Sequence, residues 1–410
     1  MIRIISSSDT AALNRLLAPQ QAGDRALERR VAAIVADVRR GGDRALVAYA
    51  RRFDRLDGPI EIAADEIEAG VRAVPAGIRR ALRTAARHIR TVARTQVPQG
   101  SKTRVAPGVV VEQRVTPLAS VGCYVPAGRY PLPSSLLMTA IPARVAGVPE
   151  VVAVCPRPAP VVLAAAVEAG VTRVFRVGGA HAIAALAYGT ATVPRVDKIV
   201  GPGSAYVAAA KSIVSRDCAI DFYAGPSEIV IIGGAGDPRW TAADMVAQAE
   251  HDTEARAILL TSSKRFAAAV RRALLAQCPP DGPARIALER HGGIVVTRSL
   301  RESIEIADRI APEHLVCDDE RVVDGVRAGA VFVGGWSAQA SGDYATGSNH
   351  VLPTSGAARF RGGLSAADFV RVSSVQRLTR RGLRGLAPAV VALAEAEGLA
   401  AHADSIRVRL

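Results

Sequence analysis

VGCYV (Val121–Val125), LLMTAIPARVAG (Leu136–Gly147) and EVVAVCP (Glu150–Pro156) follow one another along the chain, and their alternation decides the fold. The first and third are short β-branched runs of strand length, and the second is longer, Ala-rich and spaced like a helix. The rhythm continues through VVLAAAVEAG (Val161–Gly170), RVFRVGG (Arg173–Gly179), AIAALAYG (Ala182–Gly189) and KIV (Lys198–Val200). Strand–helix–strand repetition of this kind predicts a parallel sheet with helices on its faces.

A second series begins at EIVIIGG (Glu228–Gly234). It runs through TAADMVAQAEH, AILLTSS, RFAAAVRRALL, GIVVT and RESIEIADRI to AVFVGG (Ala330–Gly335). Two Rossmann-like halves in tandem are expected, in an α/β protein. Upstream, residues 24–53 and 64–97 have apolar positions at helical spacing, punctuated by Gly41-Gly42 and Asp57-Gly58-Pro59. From about Leu364 the chain is expected to return to helix.

The whole chain has 410 residues, enough for two cores. No apolar run reaches membrane-spanning length and no basic, then apolar, leader opens the sequence, so a cytoplasmic protein is expected. The net charge of +14 comes from arginines spread along helices, and aromatics are only 4%. That pattern argues for a solvated surface and against nucleic acid, which needs clustered charge and stacking platforms. The five cysteines (positions 123, 155, 218, 278 and 317) form no CxxC pair, so neither a disulfide framework nor a thiolate zinc site is expected.

Chemistry concentrates in a few places. QAEH (Gln248–His251) puts an amide oxygen and an imidazole three residues apart at a helix end, which is half of a nitrogen/oxygen metal site or a surface cap. SGDYATGSNH (Ser341–His350) reads as an irregular loop after AVFVGG, at the carboxyl end of a strand, where α/β proteins place active-site groups. There Asp343 is a ligand or turn chemistry, and His350 orients the loop or touches a ligand. APEHL (Ala311–Leu315) sets Glu313 and His314 side by side just beyond a helix; two ionisable groups in different environments divide acid and base roles, or one is solvated and the other packs. Gly398 predicts a helix stop that leaves His402 on an extended tail. Two glycine turns, VGGAHA (Val177–Ala182) and VGPGSAYVAAAK (Val200–Lys211), lead into helices; each is a phosphate cradle or a tight packing turn.

Taken together, IDFYAGPSEIVII (Ile220–Ile232), AQAEH, APEHL, SGDYATGSNHVLPT, RFRGGLSAADFV and AEGLAAH (Ala396–His402) resemble the histidinol dehydrogenase family, in the same order, from about Arg25 to the end. The resemblance implies two incomplete Rossmann-like domains with small terminal segments, in an intertwined homodimer. It implies a zinc ion (Zn2+) on Gln248, His251, Asp343 and a His402 arriving from the neighbouring subunit. It assigns acid–base work to Glu313 and His314, and places Ser227, Gln248, His251, His314, His350, Asp343, Glu397 and His402 around L-histidinol. The reaction it implies is the oxidation of L-histidinol through an aldehyde to L-histidine, with two NAD reduced. The domains expected on this basis are a segment 1–23, a first domain of 24–120 plus 227–364 carrying the zinc and acid–base residues, a second of 121–226 on the NAD side, and a tail 365–410 reaching the partner.

Three departures from the family pattern fall on the NAD side. A strand-end YxPGG stands here as Tyr124-Val125-Pro126-Ala127-Gly128, a glutamine that contacts the cofactor is His181, and an asparagine is Ser204. With Tyr124, these are the expected cofactor positions, and weakened or re-posed NAD binding is expected. Rival readings are a paralogue oxidising another small amino- or hydroxy-alcohol, a cofactor-independent metallohydrolase, and a zinc-binding relative that has lost its nucleotide pocket.

Overall fold

Strands and helices alternate as the apolar rhythm requires. The computed structural model describes residues 2–18, 24–127, 130–223 and 225–410. One five-stranded sheet has the order Arg173–Phe175, Glu150–Val154, Ser120–Tyr124, Lys198–Val200, Ala219–Ile220, and all of its pairings are parallel. A six-stranded sheet, also parallel throughout, has the order Arg3–Ser6, Gly293–Val296, Arg256–Thr261, Glu228–Ile232, His314–Cys317, Ala330–Val333. Helices cover both faces, which is why EIVII and SVGCY are buried at every position. Burial of one such Ile or Val side chain stabilises the fold by roughly 1.5–3 kcal/mol.

Several features depart from expectation. The N-terminal strand Arg3–Ser6 is an edge of the six-stranded sheet, paired with Gly293–Val296. The helices Arg25–Tyr49 and Ala76–Gln96 pack on the five-stranded sheet, whereas the sequence grouped residues 24–120 with 227–364. Their amphipathic stripes give no hint of which sheet they meet, because either sheet offers an apolar face. Gly42 is non-helical (φ 52°, ψ −137°), so Arg25–Tyr49 is two helical pieces meeting at a kink, the punctuation that Gly41-Gly42 predicts.

The C-terminal region does not return directly to helix. Val370–Leu378 (VRVSSVQRL) is a strand, joining Val109–Pro117 and Ser101–Ala106 in an antiparallel sheet. The helices Arg380–Ala396 and Ala400–Arg407 follow, joined by Gly398 at φ 75°. The left-handed glycine is as expected, but His402 sits on the second helix and not on an extended tail. All five cysteines are free, and no helix among the described residues is long and apolar enough to cross a membrane.

The segment between the last two regions ties the sheets together. Asn349 Nδ2 donates to the Met138 carbonyl at 2.7 Å, and Val351, Leu364 and Phe369 join the core formed around Leu136 and Ala140.

Candidate active site

Glu313 and His314 owe their place to a helix stop. The helix Leu300–Ile310 ends at Ala311, a non-glycine residue in the left-handed region at φ 49°. Pro312 then prevents the helix from resuming. Glu313 therefore immediately precedes a strand that His314 opens, and both are buried, at 7% and 3% exposure. Gly329 lies against them, where a Cβ would stand 2.7 Å from the Glu313 carbonyl oxygen, so only glycine allows this close approach.

Glu313 Oε2 accepts hydrogen bonds from the Ser227 hydroxyl at 2.6 Å and the Glu228 N–H at 2.9 Å. Burial pushes its pKa up to about 7 against those two bonds. His314 Nδ1 faces the Glu228 carbonyl at 3.2 Å. A carbonyl only accepts, so Nδ1 carries the proton and Nε2 presents a lone pair. That Nε2 is buried without a hydrogen-bond partner and lies 3.8 Å from Asp343 Oδ1. Burial lowers the His314 pKa, partly opposed by the Asp343 charge, which favours the neutral, proton-accepting ring.

Gln248 lies in the last turn of the helix Pro238–Ala249 and is fully buried. Its Nε2 donates to the Ser227 hydroxyl at 2.5 Å, leaving Oε1 buried and unpartnered. Ser227 thus connects Glu313 to Gln248 and fixes which way the amide points. His251 lies just past the end of that helix, half exposed, with Nε2 4.0 Å from Asp343 Oδ2. Asp343 stands on a short helix, Gln339–Tyr344, where a loop was expected. His350 Nδ1 bonds the Asp343 carbonyl oxygen at 2.8 Å, so His350 orients this segment. Gly347, at φ 98°, lets the chain pass the His88 carbonyl, and His88 Nδ1 bonds the Ala345 carbonyl oxygen at 2.7 Å.

The cluster is thus at the amino edge of the six-stranded sheet, whereas for the segment Ser341–His350 the sequence suggested the carboxyl edge. Ser227 precedes one strand, Glu313 precedes and His314 opens another, and the segment after Ala330–Val333 folds back to meet them. Among the described residues no three His, Cys, Asp or Glu side chains gather at metal-holding range. Gln248, His251 and Asp343 instead offer an amide oxygen, an imidazole and a carboxylate, a donor set suited to zinc. The orphaned Gln248 Oε1 fits a cation there. Glu397 and His402 are exposed on the C-terminal helices, with no bond to this cluster among the described residues.

The expected cofactor positions lie at the carboxyl edge of the five-stranded sheet. There His181 is 2% exposed and turned inward, its Nε2 2.7 Å from Asp54 Oδ2. Asp54 also accepts from the Gly178 N–H at 2.9 Å, and the buried Tyr124 hydroxyl accepts from the Gly179 N–H at 3.0 Å. His181 is therefore held in place by Asp54 beside the turn at Gly178-Gly179. Asp54 was not visible to sequence reasoning, since a lone Asp at a helix end signals only a turn. Ser204 caps the helix Ala205–Val214, with no side-chain cap bond, and is exposed. Gly128 lies outside the described residues.

Fold and cluster together define an α/β protein in which a buried Glu–His pair adjoins a set of nitrogen and oxygen donors. The histidinol dehydrogenase family profile matches residues 18–410. The histidinol dehydrogenase of Gluconobacter oxydans is 47% identical, the match covering 96% of this chain and 95% of that one. That of Geobacter sulfurreducens is 44% identical over the full length of both. The crystal structure of histidinol dehydrogenase from Elizabethkingia anophelis superposes with a TM-score of 0.93 at 32% identity, covering 99% of this chain and 97% of that one. The chain belongs to the histidinol dehydrogenase family.

Proposed function

We propose that the protein oxidises L-histidinol to L-histidine by way of the aldehyde, reducing two NAD, with zinc held by Gln248, His251, Asp343 and His402 of a second copy. The observation that carries this reading is the pair of buried, unpartnered atoms, Gln248 Oε1 and His314 Nε2, the latter 3.8 Å from Asp343 Oδ1. Bound zinc would supply a fixed positive centre that orients the substrate and polarises its oxygen, and no redox chemistry.

The chain's own residues do the rest. In the first oxidation His314 Nε2 takes the hydroxyl proton while the carbinol hydrogen leaves as hydride to NAD. In the second, Glu313 takes a proton from the water that adds to the aldehyde, and hydride again goes to NAD. A carboxyl with a pKa of about 7 suits this, because it is deprotonated in a useful fraction and returns its proton readily. Ser227 holds both Glu313 and Gln248 in register.

A second copy completes the site in this reading. Support comes from the C-terminal helices, which leave Leu393 and Val408 uncovered at 65% and 78% exposure. For NAD, Ser204 and its uncapped helix are suited to a phosphate, whereas His181 and Tyr124 are already engaged. We assign the strand Arg3–Ser6 with residues 227–364 to the acid–base unit, and the helices from Arg25 onward with 121–226 to the NAD unit.

Purified protein with L-histidinol, NAD and zinc should generate two NADH per histidinol consumed, read by absorbance. No rise at any NAD concentration would defeat the proposal.

A further inference from the structure

Asp343 is held by a neighbour that the catalytic account leaves unused. Gln339 opens the helix Gln339–Tyr344 one turn before Asp343, and the four-residue spacing puts both on one face. Gln339 is 1% exposed. Its Nε2 donates to Asp343 Oδ2 at 2.7 Å, while its Oε1 is buried with no hydrogen-bond partner.

A buried amide oxygen without a donor is uncommon and unfavourable. A Met or Leu would fill the same space and leave no orphan. What the amide supplies, and an apolar side chain does not, is an N–H aimed at one particular carboxylate oxygen. That oxygen is the one 4.0 Å from His251 Nε2, whereas Oδ1 is 3.8 Å from His314 Nε2. The terminal torsion of an aspartate is otherwise broad and nearly two-fold, so an unrestrained carboxylate exchanges its oxygens. A neutral donor also leaves the full charge on Asp343; a Lys or Arg in its place would neutralise the carboxylate and repel a cation.

We propose that Gln339 is a positioning residue for Asp343: its amide fixes the carboxylate plane so that Oδ2 serves the cation beside His251 and Gln248 while Oδ1 faces His314. The inference rests on the reading of Asp343 as a metal ligand. Outer partners of this kind set both the orientation and the basicity of a ligand.

The test uses the full-length protein and zinc alone, in competition with a chromophoric chelator, together with the visible spectrum of the Co2+-substituted form. Gln339→Met should weaken zinc binding by about 10- to 100-fold and alter the Co2+ bands. Its metal-free thermal midpoint should stay within a few degrees of the parent, because a lost donor and a lost orphan offset one another. Zinc affinity and Co2+ spectrum equal to the parent's would overturn the proposal, provided that Asp343→Asn lowers zinc affinity. Should Asp343→Asn bind zinc as tightly as the parent, the assignment of Asp343 as ligand fails instead. Gln339→Asn keeps the amide but withdraws it by one carbon. It carries the same expectation and the same overturning result if the Met variant does not fold.

Discussion

The carboxyl edge of the five-stranded sheet and the amino edge of the six-stranded sheet are both lined with buried polar groups, yet they treat them in opposite ways. At the first, Asp54 pairs with His181 and Gly178, Tyr124 with Gly179 and Lys211 with Asp221, and although Arg176 Nε is buried without a partner its guanidinium is paired with Glu66. At the second, Gln248 Oε1, His314 Nε2 and Gln339 Oε1 are buried with none. Satisfied polar groups rigidify a turn; unsatisfied ones are tolerated where a ligand completes them. The contrast separates structural polarity from chemical polarity on two sheets of the same kind.

The sharpest way to break this contrast is at His314. His314→Asn keeps a hydrogen-bonding side chain on the Glu228 carbonyl but removes the Nε2 lone pair. Turnover should fall by about 10³-fold, or about 4 kcal/mol of barrier, as for loss of a general base. Zinc content, read by elemental analysis, should not change. Metal loss would place His314 among the ligands and undo the division of roles.

On the satisfied side, Asp54→Ala should cost stability and leave the chemistry alone. It strands two buried donors, the Gly178 N–H and the His181 ring, at roughly 1–3 kcal/mol each. We expect a loss of about 3 kcal/mol in urea unfolding, with zinc affinity unchanged. A loss near zero would mean that the turn is not held by this carboxylate. Weakened zinc binding would mean that the two edges are not independent.

These two sites were not equally visible beforehand. Glu313, His314, Gln248, His251 and Asp343 stand in sequence patterns specific enough to be picked out, and the structure links them, Gln248 through Ser227, in a chain of contacts of 4.0 Å or less. The Asp343 segment lies at the opposite edge from the one expected, because strand order and the return path of residues 334–350 are set by tertiary packing, not by local periodicity. Gln339 was hidden for a related reason: Gly342 and the serines around it suggested a loop, and without the helix the four-residue spacing to Asp343 has no meaning. The Asp54–His181 bond was hidden too, because nothing local in the sequence reveals a partner more than a hundred residues away.

The carboxyl edge of the six-stranded sheet offers a control of small amplitude. If unsatisfied groups mark function, this edge, the one expected for the Asp343 segment, should hold satisfied ones, and at Glu302 it does. Its carboxylate accepts from the Arg298 guanidinium at 3.0 Å, the Arg298 N–H at 2.6 Å and the Ser7 hydroxyl at 3.0 Å. The Arg298 side-chain bond, then its backbone bond, hold the pKa down to about 2 from an ordinary 4.5. A pKa depressed on folding stabilises the protein fully above the unfolded value, and that contribution decays as pH falls from about 4.5 through about 2. Glu302→Gln should therefore cost less than about 1 kcal/mol at neutral pH, since the Arg298 partner is exposed. The gap between parent and variant should close as the pH falls toward 2, read from urea midpoints over that range. A gap that stays constant with pH would show that the carboxylate's charge has no part in the bond, whereas lost turnover at neutral pH would extend the working site to an edge where every partner looks settled.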